Sequence, residues 1–122
     1  MPYSLEADET IGVLSVTASG TISGTELLQL HSELAGQGGQ RDRCLLDFTA
    51  ADVSQVGGPM VRELAALPPR FERLAIVARA GPAFGLGRMY QSSVPDRAIG
   101  VFMTRDNAIA WLLKGANPPH GA

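Results

Sequence analysis

Apolar and polar positions alternate with two different spacings along the chain, and this pattern predicts strands and helices in turn. The segment Ile11 to Ala18 places Leu14, Val16 and Ala18 on one face of a strand. The preceding segment, Tyr3 to Ala7, is joined to it by a short polar turn. We therefore expect a β-hairpin at the N-terminus, with its second strand half exposed.

Three later runs are short and nearly continuous in apolar residues, a pattern typical of strands that are covered on both faces. They are Cys44 to Phe48, Leu74 to Ala78, and Ile99 to Met103. We expect these strands to be central and parallel, with Leu46, Ile76 and Val101 buried in the middle of the sheet.

The first predicted helix runs from about Thr25 to Ala35. Ser23 and Glu26 have the spacing of a capping box, in which each side chain accepts a hydrogen bond from the other residue's backbone N–H. Leu27, Leu30, His31 and Leu34 share one face, so the histidine lies on or beside the buried stripe. Gly36, Gly38 and Gly39 are expected to end this helix.

Three more helices are predicted between and after the apolar strands. They run from about Gly58 to Leu67, with Met60, Val61, Leu64 and Leu67 inward; from about Ala83 to Ser93, with Leu86, Met89 and Tyr90 on one side; and from a cap at Thr104 through Leu113. Pro68, Pro69 and Pro95 are expected to end the first two of these.

This order of elements predicts a single α/β domain. We expect a four-to-five-stranded, mostly parallel sheet with an antiparallel opening strand and about four helices. The domain is expected to span residues 1–115, and residues 116–122, which contain Pro118 and Pro119, to form a flexible tail.

Net charge, the lengths of apolar runs and cysteine content limit which partners and which cellular location we expect. A chain of 122 residues with a formal net charge of −2 gives no electrostatic reason to bind nucleic acid or an anionic membrane. No apolar run approaches the roughly 20 residues needed to span a bilayer. The single cysteine, Cys44, cannot form an intramolecular disulfide, which fits a reducing, cytoplasmic setting.

Several motifs together resemble the SpoIIAA-like family over roughly residues 9 to 114. They are GTIS before the first helix, LLDF in the third strand, RLAIVA in the fourth, GRMYQ in the third helix, and VF followed by AIAWLL at the end. The family is related in fold to the STAS domains of anti-sigma-factor antagonists, and some members are described alongside Sec14-type lipid-binding domains. The resemblance implies a SpoIIAA-like fold that binds a partner or ligand.

The resemblance also draws attention to the segment that follows the third strand. In STAS antagonists, an aspartate at the end of this strand is followed some nine residues later by a phosphorylatable serine that opens a helix. Counting from Asp47 gives Val56, which has no hydroxyl. Ser54 is the nearest hydroxyl, and we interpret it as a cap or turn residue rather than a phosphoacceptor.

The remaining residues of this loop have simpler interpretations than a site. Gly57 and Gly58 could bring the backbone close to an anion, but no GxxxxGK[ST] pattern accompanies them, so a tight turn is preferred. Asp52, with Ser54 and these glycines, is kept as a candidate switch loop. One of Asp47 and Asp52 is expected to cap or close the loop.

No catalytic or metal-binding constellation is evident. His31 is interpreted as a packed residue, and the other histidine, His120, lies in the predicted tail. Cys44 is interpreted as core because a reactive thiolate needs exposure and positive neighbours. No GxSxG elbow or Ser/His/Asp set is present, so we expect a protein that is not an enzyme and needs no cofactor.

The segment from Gly81 to Gln91 is the strongest candidate for a binding surface. Its three glycines disfavour a helix, which could leave the segment mobile over an apolar pocket. Such a pocket is predicted to be lined by Phe84, Met89 and Tyr90, with Arg88 reaching an anionic head group. The alternative is a short helix packed closely on the sheet, with Arg88 solvated.

The sequence therefore predicts a non-enzymatic cytoplasmic binding or regulatory module with a protein partner. The alternative is a carrier or sensor of a small amphiphilic ligand such as a fatty acid or lipid. A homodimer is left open.

Overall fold

Alternating strands and helices make up the chain, as the apolar pattern predicts. A computed structural model describes residues 3–8, 11–37, 43–66 and 71–114. In chain order the elements are β1 (Tyr3–Asp8), β2 (Val13–Thr21), α1 (Gly24–Gln37), β3 (Arg43–Asp52), α2 (Gly58–Ala66), β4 (Arg73–Val77), α3 (Pro82–Ser93), β5 (Ile99–Phe102) and α4 (Arg105–Leu113).

The strands form one five-stranded sheet in the order β1-β2-β3-β4-β5. β1 and β2 pair antiparallel, with Leu5 opposite Val16, and the pairs from β2 to β5 are all parallel. Each parallel pair is joined by one helix, as parallel strands require a crossover. The predicted fold class, including the antiparallel opening strand, is confirmed.

The prediction that the run from Ile99 to Met103 is a central strand is wrong. β5 pairs only with β4 among the described residues, so it lies at the edge of the sheet. Leu46 and Ile76 are buried as predicted, but Val101 is only half buried, and Met103 follows the strand with 55% of its surface exposed. An apolar run indicates that both faces of a strand are covered, but it does not indicate that both edges are paired. The two faces of β5 are covered by α3 and α4.

The two faces of the sheet are covered unequally. On one face, α1, α2 and α3 pack over a core that includes Leu14, Val16, Leu46 and Ile76. On the other face, α4 alone packs over a smaller core. That core consists of Val13, Leu45, Ala75, Val77, Ala108 and Leu112. The face covered by three helices, which carries the larger core, is the one on which a site can be enclosed between helices and sheet.

The two caps predicted from the sequence, at Ser23 and Thr104, are confirmed. The backbone N–H of Ser23 donates to Glu26 Oε1 at 2.9 Å, and the backbone N–H of Glu26 donates to Ser23 Oγ at 3.2 Å. These two bonds complete the capping box of α1. Thr104 caps α4 by accepting from the backbone N–H of Asn107 at 3.2 Å.

Some predicted features lie outside the described residues. These are Leu67, the helix stops at Gly38, Gly39, Pro68 and Pro69, residue His120, and the tail at 116–122. Among the described helices, none has the length and apolar character that crossing a bilayer requires.

Candidate functional site

A cavity of about 90 Å³ lies between the sheet and the helices α1, α2 and α3 that cover one of its faces. Its walls come from α1, β3, the loop after β3, α2, β4 and α3. Among the described residues, every one that lines the cavity is apolar or glycine except His31 and Tyr90. No Asp, Glu, Lys or Arg is among the described lining residues, which leaves His31 as the one basic side chain there.

Tyr90 is one of the two residues with a polar side-chain group in the described lining of this cavity. The residue is only 8% exposed, and its hydroxyl oxygen is buried with no hydrogen-bond partner among the described residues. Burial raises the pKa of Tyr90 well above its ordinary value, an effect that the charge of Arg97 partly offsets. The phenol is therefore a neutral group, able to donate and to accept one hydrogen bond.

His31 reaches Tyr90 across the gap between α1 and α3. The two ring centroids lie 6.2 Å apart at an interplanar angle of 86°, which is the edge-to-face arrangement that aromatic pairs prefer. His31 is half buried, in agreement with its predicted place on or beside the apolar stripe. It acts here as a packed wall residue.

The predicted lining of the pocket is only partly correct. Of the three predicted lining residues, Tyr90 lines the cavity, but Phe84 and Met89 do not; Arg88, which was predicted to reach a head group, is also outside the lining. The inward positions of α3 are taken by Ala83, Leu86, Gly87 and Tyr90, which follow the i, i+3, i+4, i+7 spacing of one helix face.

The three residues outside the cavity have other surroundings. Met89 is 38% exposed, and its sulfur lies close to α2: a methyl group built on Gly58 would be 3.5 Å from Met89 Sδ. Arg88 is exposed and Phe84 is half buried. The proposed role of Arg88 in holding an anionic head group stays a prediction.

Two of the three glycines in this segment have structural reasons that do not involve mobility. Gly81 precedes α3 with a φ of 121°, a conformation that favours glycine. Gly87 is buried against the sheet, where a methyl group would lie 3.1 Å from Val101 Cγ1 and 3.5 Å from Ile76 Cγ2. Gly85 faces open space and has no such reason. Close packing, the alternative interpretation, therefore accounts for most of the pattern.

The loop after β3 is closed by Asp52, as one of the two aspartates was expected to do. Asp52 Oδ1 accepts from the backbone N–H of Ser54 at 2.9 Å, and this hydrogen bond lowers the pKa of Asp52. Ser54 is exposed in the turn. Gly57 then opens α2, since its carbonyl accepts from the backbone N–H of Val61 at 3.3 Å.

Val56, at the position where the resemblance would place a phosphoacceptor, is 7% exposed and lines the cavity. Val53, also buried, lines it from the same loop. Sequence reasoning missed this contribution, although the three-residue spacing of two valines in a polar loop was a signal that both point inward. The loop therefore joins the candidate switch position to the cavity wall.

Asp47 does not end its strand, because β3 continues to Asp52. Opposite Thr17 and Ser19 of β2, the register of β3 shifts by one residue, which marks a β-bulge just after Asp47. Asp47 Oδ1 accepts from the Thr49 backbone N–H at 3.0 Å and from Thr49 Oγ1 at 2.7 Å. Asp47 Oδ2 pairs with Arg105 Nη1 at 3.2 Å.

These contacts decide the ionisation of Asp47. Burial alone would raise the pKa of this carboxyl, but the hydrogen bonds from Thr49 and the Arg105 guanidinium hold it below its ordinary value. Arg105 also donates to Ser15 Oγ at 2.8 Å, which joins α4 to β2 as well as β3. The cluster is a structural clasp on the α4 face.

Cys44 is completely buried, and burial raises the pKa of its thiol far above the ordinary value. This agrees with the predicted core role, since a reactive thiol needs exposure. In the described part of the chain, no group of three or more His, Cys, Asp and Glu residues could hold a metal ion.

The comparisons with known proteins bear on the fold. No protein-family model and no curated protein sequence matches the chain. An uncharacterised protein of the DUF3478 family with a SpoIIAA-like fold, from Shewanella loihica, aligns with a TM-score of 0.60 and 20% identity over 90% of this chain and 91% of its own. The fold is SpoIIAA-like.

A second solved structure gives the same result. It is an anti-sigma factor antagonist from Mycobacterium paratuberculosis, which aligns with a TM-score of 0.60 and 20% identity over 90% of this chain and 93% of its own. The resemblance suggested by the residues is therefore confirmed as a likeness of fold.

Proposed function

We propose that this protein is a non-enzymatic binding or regulatory module of the STAS-like type, which acts in the cytoplasm through a protein partner. The observation that carries the proposal is the SpoIIAA-like fold, shared over most of both chains with an anti-sigma factor antagonist. The absence of a candidate catalytic set in the sequence supports the non-enzymatic part.

The loop before α2 is the surface we propose for the partner. Ser54, Gln55 and Gly57 are exposed there. Met60 of α2 is half buried close to Gly24, and Met89 of α3 is exposed close to Gly58. Methionine is a flexible apolar residue suited to adaptable contact surfaces, which fits a binding role.

In this proposal the surface is not switched by phosphate at the position that the family resemblance indicates. Valine has no hydroxyl to accept one, and Val56 is directed into the core. Ser54 is the only hydroxyl in the segment from Asp52 to Gly58. Stoichiometric phosphate mapped to this loop after treatment with a kinase from the host would contradict the proposal.

The test begins with a partner isolated from the host and then purified. Its affinity should be measured by calorimetry for the wild type and for Gln55→Arg, with Ala110→Arg on exposed α4 as the control. We expect Gln55→Arg to weaken binding about tenfold or more, as a charge placed in an interface does, and the control to bind normally. Equal affinity of all three proteins would place the partner elsewhere.

A second candidate function is favoured by the cavity: carriage or sensing of a small amphiphilic ligand. Pockets for drug-sized ligands have volumes of about 300–1,000 Å³, whereas this cavity measures about 90 Å³. It can take only the end of an alkyl chain without opening further. The head group of a fatty acid would then lie outside, where exposed Arg88 is one cationic candidate.

This second function is tested by titration of a fluorescent fatty acid into the wild type, Arg88→Ala and Tyr90→Ala. Arg62→Ala, an exposed arginine on α2, is the matched control. Weaker binding by the first two variants alone supports the carrier. No binding by any of the proteins removes it.

A further inference from the structure

The cavity beneath the helices has a size and chemistry that indicate a narrower class of ligand. We propose that it binds a small, neutral, mostly apolar molecule of the size of a single ring, which carries one oxygen that forms a hydrogen bond with the Tyr90 hydroxyl. This inference refines the second candidate function and does not depend on the protein-binding proposal.

The first argument is the buried polar atom. Buried side-chain oxygens in native proteins nearly always have a hydrogen-bond partner, and each exception needs an explanation such as a ligand or water at the site. Tyr90 lines the cavity, is 8% exposed, and has a hydroxyl without a partner among the described residues. In the proposed complex, a ligand oxygen at the Tyr90 end of the cavity reaches this hydroxyl and is that partner.

The second argument is charge. The described lining contains no carboxylate, ammonium or guanidinium group, and its one basic side chain is His31, which is half buried on α1 with its ring packed on Tyr90. Away from His31, an ionised ligand enclosed here would have its charge unpaired in an apolar space, which is far more costly than enclosing a neutral molecule. Carboxylates and phosphates are therefore disfavoured in that part of the cavity.

The third argument is size. An apolar cavity of about 150 Å³ accommodates benzene in an engineered protein, and the space here is about 90 Å³. A single ring would fill it after a small outward movement of its walls. Lining residues on α1 and α3, including Leu27, His31 and Leu86, are only half buried and could give way for entry.

The test compares two ligands that differ by one hydroxyl, phenol and benzene, each titrated into isotope-labelled protein and followed by NMR. The wild type should bind phenol about three- to tenfold more tightly than benzene, the gain expected from one hydrogen bond. Tyr90→Phe should lose this preference and bind phenol no more tightly than benzene, because the phenol hydroxyl would then be buried without a partner. Shifts should centre on the cavity lining.

Two control variants separate this explanation from others. Tyr3→Phe removes the hydroxyl of a tyrosine that lies outside the cavity lining, and it should keep the preference for phenol. Ala83→Leu adds volume at the cavity wall and should weaken both ligands. Circular dichroism checks that each variant is folded.

The outcomes that overturn the proposal are distinct. Equal binding of phenol and benzene by the wild type would show that the Tyr90 hydroxyl contributes nothing, as it would if water already occupied the site. A preference that survives in Tyr90→Phe, or no binding of either ligand, would also refute it. Fatty-acid binding without phenol binding would leave the carrier function standing and remove only this inference.

Discussion

Tyr3 and Tyr90 belong to the same core, but only the Tyr3 hydroxyl has a hydrogen-bond partner among the described residues. Tyr3 donates to Glu33 Oε1 at 3.1 Å, and Tyr90 has no partner among the described residues. A satisfied hydrogen bond stabilises the fold modestly, whereas a buried hydroxyl without a partner costs free energy. The same substitution should therefore have opposite effects at the two positions.

We expect Tyr90→Phe to raise the free energy of unfolding by about 1 kcal/mol and Tyr3→Phe to lower it by about 1 kcal/mol. Urea unfolding of the three ligand-free proteins measures both values. If Tyr90→Phe proves as destabilising as Tyr3→Phe, the Tyr90 hydroxyl has a hydrogen-bond partner in solution.

The lowered pKa of Asp47 predicts how the stability of the fold changes in acid. Its pKa in the folded protein is held below the ordinary value of 3.8, so folding favours the ionised form. The stability that this provides is fully present above the unfolded value and is lost as the pH falls through the lower, folded value.

Asp47→Asn should therefore flatten the loss of stability below about pH 4, because the group that must be protonated is gone. Thermal unfolding between pH 2 and pH 6 measures this, with Glu63→Gln on exposed α2 as the control for loss of a carboxylate. An unchanged pH profile in Asp47→Asn would show that the clasp with Thr49 and Arg105 does not contribute to acid stability.

At the scale of elements, α3 contains two glycines with different surroundings. Gly85 faces open space, and Gly87 is packed against Val101 and Ile76. Alanine is favoured over glycine in a helix by about 1 kcal/mol wherever the added methyl group fits. The two positions therefore separate helix propensity from packing on the sheet.

We expect Gly85→Ala to raise the free energy of unfolding by about 0.5–1 kcal/mol. Gly87→Ala should lose that gain or become destabilising, because its methyl group crowds Val101 at 3.1 Å. Urea unfolding compares the two variants. Equal stabilisation would mean that α3 moves easily on the sheet, as the hypothesis of a mobile segment from Gly81 to Gln91 requires.

How much of each element could be predicted depends on whether its cause is local. The capping box at Ser23 and the cap at Thr104 arise from residues three apart, so the sequence alone was sufficient for both. The cavity was misassigned because its walls come from separate elements. Phe84 and Met89 are apolar, but only the position of α3 on the sheet decides which of its residues face inward.

At the scale of the whole molecule, the main difference from expectation is the place of β5. Its apolar character follows from cover by α3 and α4, and nothing in a single sequence reports whether a further strand lies beside it. Gln91 of α3 forms a hydrogen bond at this edge: its side-chain amide donates to the Ile99 carbonyl at 2.7 Å. A side chain thus satisfies a carbonyl that a sixth strand would otherwise bond.

Amide hydrogen exchange distinguishes an edge strand from a central one. The Ala98 carbonyl accepts from the backbone N–H of Leu74 in β4 at 3.0 Å, and the Phe102 carbonyl accepts from that of Ala78, just after β4, at 2.9 Å. Because peptide groups alternate in direction along a strand, the N–H groups of Gly100 and Phe102 face β4, while those of Ile99 and Val101 face the open edge. Only the first pair can be protected by the sheet.

We therefore expect the amides of Ile99 and Val101 to exchange much faster than those of Gly100 and Phe102, whereas successive amides of β4 should all be slow because it has a neighbour on each side. NMR-detected exchange resolves these residues one by one. The internal control is the alternation itself, since opening of the whole strand would speed all four amides together. Protection of Val101 equal to that of Phe102 would show that something pairs with this edge in solution, such as a second copy of the chain.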